Sequence, residues 1–272
     1  MDAERELQTR AINTIRFLSV DAVQKANSGH PGLPMGTAAI AYTLWAKHLK
    51  INPENPKWED RDRFLLSKGH ACTSLYATLA LKGFFPLGQL STYGQDGSDF
   101  VSHTSHKIPG IEISAGSLGH ALPIGCGIAL AAKKKNKNFR TFVLVSDGEL
   151  DEGSNWEAIL FAPQHKLDNL ILIVDYNKIQ SLGNVKDVLD LEPLKKKFEA
   201  FNWECSEIDG HNHKAIYESL ATLELNGRPK AIIAHTIKGK GIDFMENKLL
   251  WHYKSPSEKE YIDAISQITS KE

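Results

Sequence analysis

Cysteine is scarce in this sequence. Only three of the 272 residues are cysteine, and Cys72, Cys126 and Cys205 lie far apart with no C-x-x-C pair. Because disulfide frameworks and zinc sites use several closely spaced cysteines, neither is expected here. Such cysteine usage fits a reducing compartment, and we expect a cytoplasmic protein.

The sequence also lacks net charge and long apolar runs. Its 32 Lys and Arg residues balance 33 Asp and Glu residues to a formal charge of −1. No broad field therefore favours nucleic acid or an anionic membrane, so any anionic ligand must be held by a local site. The charged opening MDAERELQTR contains no apolar signal segment, and no run approaches membrane-spanning length.

The remaining composition is that of an ordinary globular protein, with 42% hydrophobic and 24% charged residues. A chain of 272 residues can bury a full core. We expect residues 1–272 to form one large α/β domain rather than two.

Residues 139–180 hold the strongest structural pattern. Two short β-branched runs, 142–145 and 170–174, each end in polar residues and flank an amphipathic segment, 155–165. Buried runs on either side of a helix predict a parallel strand-helix-strand unit. The fold class that follows is α/β, a doubly wound and mostly parallel sheet with helices on both faces.

Polar residues follow both runs. Asp147 and Gly148 come after the first, and Asn177 comes after the second. Because parallel strands end at one edge of the sheet, Asp147 and Asn177 should face one crevice, where their oxygens suit Mg²⁺ or Ca²⁺ with a diphosphate. Taken singly, Asp147-Gly148 is more often a turn and Asn177 a cap.

Four histidines lie on loops or at a loop end, beside small residues. His30 stands in S-G-H-P-G, where we expect residues 29–36 to interrupt the helices, and His70 stands in S-K-G-H before a helix. A helix N-terminus lowers a histidine pKa and favours phosphate, so His70 is a candidate neutral donor to a diphosphate, or else a capping residue. His103 and His106 lack a suitably spaced third ligand for zinc.

Two further loops carry glycine or lysine. Gly116-Ser117-Leu118-Gly119 precedes a strongly apolar helix, an arrangement that lets backbone amides approach a ligand but is weak on its own. Near the end of the chain, K-G-K-G is followed by Trp251-His252-Tyr253. From the residues alone, Lys238 and Lys240 are solvated and His252 is packed.

These motifs together resemble a known family. Asp-Gly followed about thirty residues later by Asp-x-Asn at a strand end is the thiamine-diphosphate signature, and the chain resembles the diphosphate-binding N-terminal part of transketolase. The match runs from S-G-H-P-G through S-K-G-H and G-S-L-G-H to the K-G-K-G loop. Ser146 departs from the glycine that the family most often has, and His120-Ala121 departs from Gln-Gly.

The resemblance implies a role for each motif. The divalent cation would be held by Asp147, Asn177 and the carbonyl of Ile179. Thiamine diphosphate would be bound by His70, Gly116, Ser117, Leu118, Asp147, Gly148, Asn177 and His252. The catalytic residues would be His30, His103, His252 and Glu152, of which the three histidines face the sugar, while Glu152 and Glu157 lie near two related cofactor sites.

The resemblance also predicts a partner. Single-chain transketolases continue into a pyrimidine-binding domain, which supplies a glutamate to the cofactor, and this sequence has no such length. The expectation is the N-terminal subunit of a split transketolase, inactive without a C-terminal subunit, self-associated in an α2β2 assembly. With that subunit it would transfer a two-carbon ketol unit from a ketose phosphate to an aldose phosphate, using thiamine diphosphate and Mg²⁺.

Two other functions stay open. The chain could be a subunit of another thiamine-diphosphate enzyme, such as a specialised sugar transketolase or a deoxyxylulose-phosphate-synthase-like protein. It could also be a non-catalytic protein that binds a metal-diphosphate ligand. A dinucleotide oxidoreductase is disfavoured, because no G-x-G-x-x-G follows an early strand.

Overall fold

A five-stranded parallel sheet forms the centre of the computed structural model, which describes residues 2–222 and 224–270. The strand order across this sheet is β1-β2-β3-β7-β6, and a separate two-stranded hairpin is formed by β4 and β5. The strands are β1 Arg63–Leu66, β2 Thr141–Ser146, β3 Leu170–Tyr176, β4 Ile179–Gln180, β5 Gly183–Asn184, β6 Glu204–Asp209 and β7 Lys230–His235.

The two central strands are apolar on both faces. Every residue of β2 and β3 is buried. Phe142 and Leu144 pack into one core layer, whereas Val143 and Val145 pack into the other. Because both faces of a parallel sheet are covered, such strands read as continuous apolar runs rather than alternating ones. The predicted strand-helix-strand unit is confirmed.

Helices cover both faces of the sheet. They are α1 Asp2–Ala26, α2 Gly32–Thr43, α3 Cys72–Leu81, α4 Ala121–Lys134, α5 Gly153–Gln164, α6 Val185–Val188, α7 Leu194–Ala200, α8 His213–Ala221 and α9 Glu258–Thr269. Side chains of α1, α2, α3 and α8 join one core layer, and those of α4, α5 and α7 join the other. The doubly wound α/β fold is therefore as predicted. None of the helices in the described ranges is long and apolar enough to cross a membrane.

The second helix begins earlier than the sequence predicts. Helix α2 starts at Gly32, so Pro34 and Gly36 lie inside it rather than in a preceding loop. Pro34 is tolerated because the first turn of a helix needs no donor at that backbone nitrogen. A Cβ at Gly36 would lie 2.9 Å from the carbonyl oxygen of Ile237, so glycine here lets the loop after β7 approach the helix. His30 remains in the short connection between α1 and α2.

The path of the chain reverses between β3 and β7. From β1 the chain moves across to β2 and β3, then jumps to the edge strand β6 and returns to β7. Ligands of open α/β sheets bind beyond the carboxyl ends of the strands where such a reversal occurs. The loops after β1, β2, β3 and β7 all open at that edge, because the strands are parallel.

Candidate active site

Asp147 lies directly after β2 with its carboxylate buried. One oxygen accepts a hydrogen bond from the backbone N–H of Gly148 at 2.8 Å, and the other accepts from the N–H of Lys178. Burial raises the pKa of this carboxyl to about 7, with the nearby Asp175 carboxylate contributing in the same direction. Because burial disfavours its ionised form, this carboxylate would be stabilised by a bound cation.

The other two predicted cation ligands lie beside Asp147. Lys178, which binds Asp147 through its backbone, is flanked by Asn177 and Ile179. The Asn177 side chain is buried, and its Oδ1 accepts from the N–H of Ile179 at 3.1 Å. One carboxylate, one amide oxygen and one backbone carbonyl are hard oxygen donors of the kind that Mg²⁺ and Ca²⁺ prefer.

A second buried carboxylate organises the same edge. Asp175 in β3 pairs with the Lys68 ammonium and also accepts from the hydroxyl of Thr236 and the side-chain amide of Asn177. Lys68 follows β1 and Thr236 follows β7, so this one carboxylate joins three strand ends. Removing one partner of a buried ion pair costs about 3–5 kcal/mol. The sequence analysis missed this role, because its signal is an acid inside an apolar strand.

Lys238 contradicts its prediction as a solvated residue. Its side chain is 1% exposed, and its ammonium donates to the carbonyl oxygen of Ile179 at 2.6 Å. The same ammonium lies 3.2 Å from Nδ1 of His252. Burial lowers the Lys238 pKa to about 8, against the opposing pull of Asp147. Lys240 is half-buried and pairs with Glu246 at 3.3 Å.

Four histidines gather beside the predicted cation ligands. The ring of His30 lies 4.9 Å from that of His70, 5.6 Å from that of His252 and 6.1 Å from that of His103, measured between centroids. Burial lowers the pKa of His70 to about 2 and those of His30 and His252 to about 4, and it lowers the pKa of His103. All four imidazoles are therefore neutral near pH 7. Burial, rather than the helix terminus, is the leading cause at His70.

The hydrogen bonds define what two of these rings offer a ligand. An ammonium can only donate, so Nδ1 of His252 accepts from Lys238 and its Nε2 carries the proton. Within the described ranges, the buried Nδ1 of His30 has no hydrogen-bond partner. Buried polar atoms are normally paired, so this nitrogen is available to a ligand.

His106 stands apart from this cluster. Its Nδ1 lies 2.7 Å from the Ser114 hydroxyl, and the side chain is exposed. His103 is held differently, since the Tyr76 hydroxyl donates to its backbone carbonyl. Across residues 2–222 and 224–270, no group of three or more His, Cys, Asp or Glu residues is arranged to hold a metal ion. A cation at the candidate site would therefore depend on one carboxylate.

The glycine-rich loop before α4 forms one rim of the site. A Cβ at Gly116 would lie 3.5 Å from Cδ2 of His103, so this loop borders the histidines. Gly116 and Ser117 are exposed and Leu118 is half-buried. These surfaces are open to a ligand, as the predicted cofactor contacts require.

Glu149 is a residue that the sequence analysis missed. Its side chain is fully buried, and one oxygen accepts from the N–H of Gly119 at 2.9 Å and from the Ser67 hydroxyl. The other oxygen accepts from the N–H of Ser146 at 3.3 Å. Burial raises the pKa of this carboxyl against these hydrogen bonds. Glu149 thereby ties together the loops after β1, before α4 and after β2.

Glu152 and Glu157 occupy a different place. Both are exposed, and Glu152 is the N-terminal cap position of α5. The Glu152 side chain lies beside Gly119, where an added Cβ would come within 2.7 Å of it. Neither carboxylate belongs to the histidine cluster, so the catalytic role predicted for Glu152 stays a prediction.

The residues of this edge fit a diphosphate with a divalent cation. Three hard oxygen donors adjoin one another, the Nδ1 of His30 lacks a partner within the described residues, and the bordering glycine loop is open. Neutral imidazoles can donate to phosphate or sugar oxygens without charge repulsion between them. The chemistry of the donors thus separates a cation end from a neutral imidazole end.

Comparisons with known proteins agree with this geometry. The family described as "Transketolase, thiamine diphosphate binding domain" matches residues 7–268. One subunit of the apulose-4-phosphate transketolase of Actinobacillus succinogenes is 40% identical over 264 residues, which cover 97% of this chain and 96% of that protein. The 6-deoxy-6-sulfo-D-fructose transketolase subunit SqwG of Clostridium sp. is 38% identical, with the same coverage of 97% and 96%.

A solved structure gives the same result. The crystal structure of transketolase from Campylobacter jejuni superposes with a TM-score of 0.92 at 38% identity, over 97% of this chain. The match covers only 43% of that transketolase. The chain therefore corresponds to less than half of that larger enzyme but to nearly the full length of the two matched subunits.

Proposed function

This chain belongs to the transketolase family, in which it represents the thiamine-diphosphate-binding domain, and from that premise we propose that it works as the N-terminal subunit of a split transketolase. With a C-terminal subunit it transfers a two-carbon ketol unit from a ketose phosphate to an aldose phosphate. Residues 1–272 act as one domain of that enzyme. The observation that carries the proposal is the meeting of four neutral imidazoles with an edge that presents three hard oxygen donors.

The cation end of the site holds the cofactor. Asp147, Asn177 and the Ile179 carbonyl would hold Mg²⁺, which would supply positive charge to offset the diphosphate. His70 donates to a diphosphate oxygen as a neutral imidazole, which its low pKa supports. Gly116, Ser117, Leu118 and Gly148 supply the surrounding backbone and apolar surface.

The imidazole end acts on the sugar. When bound, thiamine diphosphate supplies the nucleophilic carbon that takes up the two-carbon unit. His30, His103 and His252 donate to sugar oxygens and move hydroxyl protons, a role for which neutral imidazoles carry both a donor and an acceptor nitrogen. His252 can donate a hydrogen bond to the cofactor or to the sugar. Its Nδ1 accepts from Lys238, so its proton lies on Nε2.

The remaining half of the site comes from the partner. A C-terminal subunit supplies the pyrimidine-binding domain. Glu152 and Glu157 are exposed, and Glu152 adjoins Gly119 of the glycine-rich loop, so both carboxylates can face a second copy in an α2β2 assembly. The relatives of similar length are themselves named as subunits of transketolases, which supports such a division.

A titration of this chain with its partner tests the proposal. The native protein is purified from its own cells, a co-purifying chain is identified, and both chains are then produced separately. Ketol transfer with thiamine diphosphate and Mg²⁺ should be absent from either chain alone and should rise until the two are equimolar. Full transfer by this chain alone would refute the division of labour. Cofactor binding without transfer at any ratio would favour a non-catalytic diphosphate-binding protein.

A specialised sugar substrate is the second candidate. It is favoured by one observation, that the relatives covered nearly end to end carry names for apulose 4-phosphate and 6-deoxy-6-sulfo-D-fructose. A substrate panel on the reconstituted enzyme distinguishes the candidates. It compares kcat/KM for an ordinary pentulose phosphate, apulose 4-phosphate and the sulfosugar, and the substrate with the highest value identifies the class.

A further inference from the structure

The side chain of Lys238 lies within the proposed cation site. Its ammonium is 2.6 Å from the carbonyl oxygen of Ile179, which is one of the three proposed cation ligands. Its stem passes Gly32, where a Cβ would lie 3.1 Å from Cγ of Lys238. The lysine is therefore packed into this position rather than lying loosely against it.

An ammonium and a divalent cation compete for this carbonyl. Ca²⁺ and Mg²⁺ bind oxygen at roughly 2.0–2.6 Å, so a cation on the Ile179 carbonyl would come within about 5 Å of the ammonium. Repulsion between positive charges at that separation is strong where water is excluded. Lys238 has a second acceptor in Nδ1 of His252 at 3.2 Å, so it need not lose every partner when it leaves Ile179.

Buried charged groups of both signs already lie at this edge before any ligand enters. Asp147 and Asp175 are negative when ionised, and Lys68 and Lys238 are positive, and all four are at most 1% exposed. A divalent cation alone would add two positive charges beside the two buried ammonium groups. A cation that arrives with a diphosphate adds charge of both signs and gives the ammonium a new anionic neighbour.

We propose that Lys238 occupies the cation position in the ligand-free protein and thereby couples metal binding to diphosphate binding. This inference rests on the proposed cation site of Asp147, Asn177 and Ile179. The divalent cation alone binds weakly, because it must displace the ammonium from the Ile179 carbonyl. When the diphosphate enters with the cation, the ammonium turns from that carbonyl towards the anion and towards His252.

Lys68, the other buried lysine at this edge, does not share this role. Lys68 forms an ion pair with Asp175, and no hydrogen bond joins it to Asp147, Asn177 or Ile179 within the described ranges. Lys240 lies two residues away on the same loop and pairs with Glu246. Lys240→Met is therefore the matched control for a charge removed from this loop.

The test measures binding of Mn²⁺ alone and then of Mn²⁺ with thiamine diphosphate, by electron paramagnetic resonance of free Mn²⁺. Lys238→Met should bind Mn²⁺ alone about tenfold more tightly than the unaltered chain, and the increase in Mn²⁺ affinity caused by the cofactor should fall by a similar factor. Lys238→Arg and Lys240→Met should behave like the unaltered chain. If Lys238→Met does not fold, Lys238→Gln provides the same comparison.

The outcomes separate this inference from the proposed site. If Asp147→Ala abolishes Mn²⁺ binding while Lys238→Met and Lys238→Gln bind Mn²⁺ alone no more tightly than the unaltered chain, the site stands and the inference is overturned. If Asp147→Ala leaves Mn²⁺ binding intact, the cation site itself is wrong. A crystal structure with Mn²⁺ and thiamine diphosphate should show the ammonium beyond 3.5 Å from the Ile179 oxygen, and a metal and ammonium sharing that oxygen would also overturn the inference.

Discussion

Replacing Asp147 by Asn should stabilise the ligand-free protein while removing its cation site. Burial and the neighbouring Asp175 move the carboxyl pKa from 3.8 to about 7. At pH 8 this corresponds to roughly 4 kcal/mol against the ionised side chain, since each pKa unit is worth about 1.4 kcal/mol. Asn has no charge to bury, so the variant escapes that penalty.

Part of the gain is lost through hydrogen bonding. Asp147 accepts from two backbone N–H groups, those of Gly148 and Lys178. Asn can accept from one of them and turns its NH2 group towards the other, which costs about 1–2 kcal/mol. The free energy of unfolding should therefore rise by about 2 kcal/mol at pH 8. With an m-value of about 3 kcal/mol/M, the urea midpoint rises by roughly 0.7 M.

The pH dependence fixes the cause. A carboxyl whose folded pKa is raised binds its proton more tightly in the folded state, so its contribution to stability falls as pH rises from about 4 to about 7. The advantage of Asp147→Asn should thus be absent at pH 4 and complete at pH 8. The exposed Asp96→Asn is the matched control and should show no such trend.

Urea unfolding in EDTA, followed by circular dichroism at pH 4, 6 and 8, measures these effects. In a parallel series without EDTA, Mg²⁺ and thiamine diphosphate should raise the midpoint of the unaltered chain but not that of Asp147→Asn. A variant that unfolds at lower urea than the unaltered chain at pH 8 would contradict the burial argument. A variant that the ligands stabilise as much as the unaltered chain would contradict the cation site.

Three further predictions concern the residues around this carboxylate. Glu149→Ala leaves buried donors such as the Gly119 N–H without their acceptor, so it should lower the free energy of unfolding by about 3 kcal/mol. An unchanged urea midpoint would argue that Glu149 does not hold these loops together. His70→Ala should weaken thiamine diphosphate binding by about fivefold, the value of one neutral hydrogen bond near 1 kcal/mol, in calorimetry with the partner present. His103→Ala should lower kcat or raise the ketose KM while cofactor affinity stays nearly intact. The control His106→Ala, at an exposed residue, should change neither kcat nor KM. A loss confined to cofactor binding would refute the sugar-binding role of His103.

Local sequence pattern was enough to predict the centre of the fold. Runs such as 142–145 and 170–174 are apolar throughout because both sheet faces are covered, and polar residues end them sharply. From parallel strands it follows that Asp147 and Asn177 meet at one edge, and the structure has them on either side of the Lys178 backbone. The start of α2 was predicted too late, because the sequence pattern places Gly36 in a loop. Glycine is used there, inside the helix, because the carbonyl of Ile237, which is distant in sequence, comes close to it.

The residues that sequence pattern missed are partners rather than ligands. Asp175 pairs with Lys68, which is 107 positions away in the sequence, and Glu149 accepts a hydrogen bond from Ser67, which is 82 positions away. Nothing near either acid in the sequence reveals such a partner. Lys238 was predicted to be solvated because lysine in a glycine-rich loop usually is. Its burial depends on acceptors from two other loops, at Ile179 and His252.

The difference between the residues that were predicted and those that were missed has a physical reason, which also bears on how the proposed site works. Ligand atoms must face the crevice, so they come from residues just after strand ends, where a single sequence pattern can locate them. The charged groups that offset the charges facing the crevice must instead be buried behind it. Burying each of them costs several kcal/mol unless an opposite charge lies in contact. At this edge Lys68 serves Asp175 and Lys238 adjoins both Ile179 and His252. The proposed cation end therefore holds buried charges of both signs, the proposed sugar end is neutral, and Lys238 contacts both.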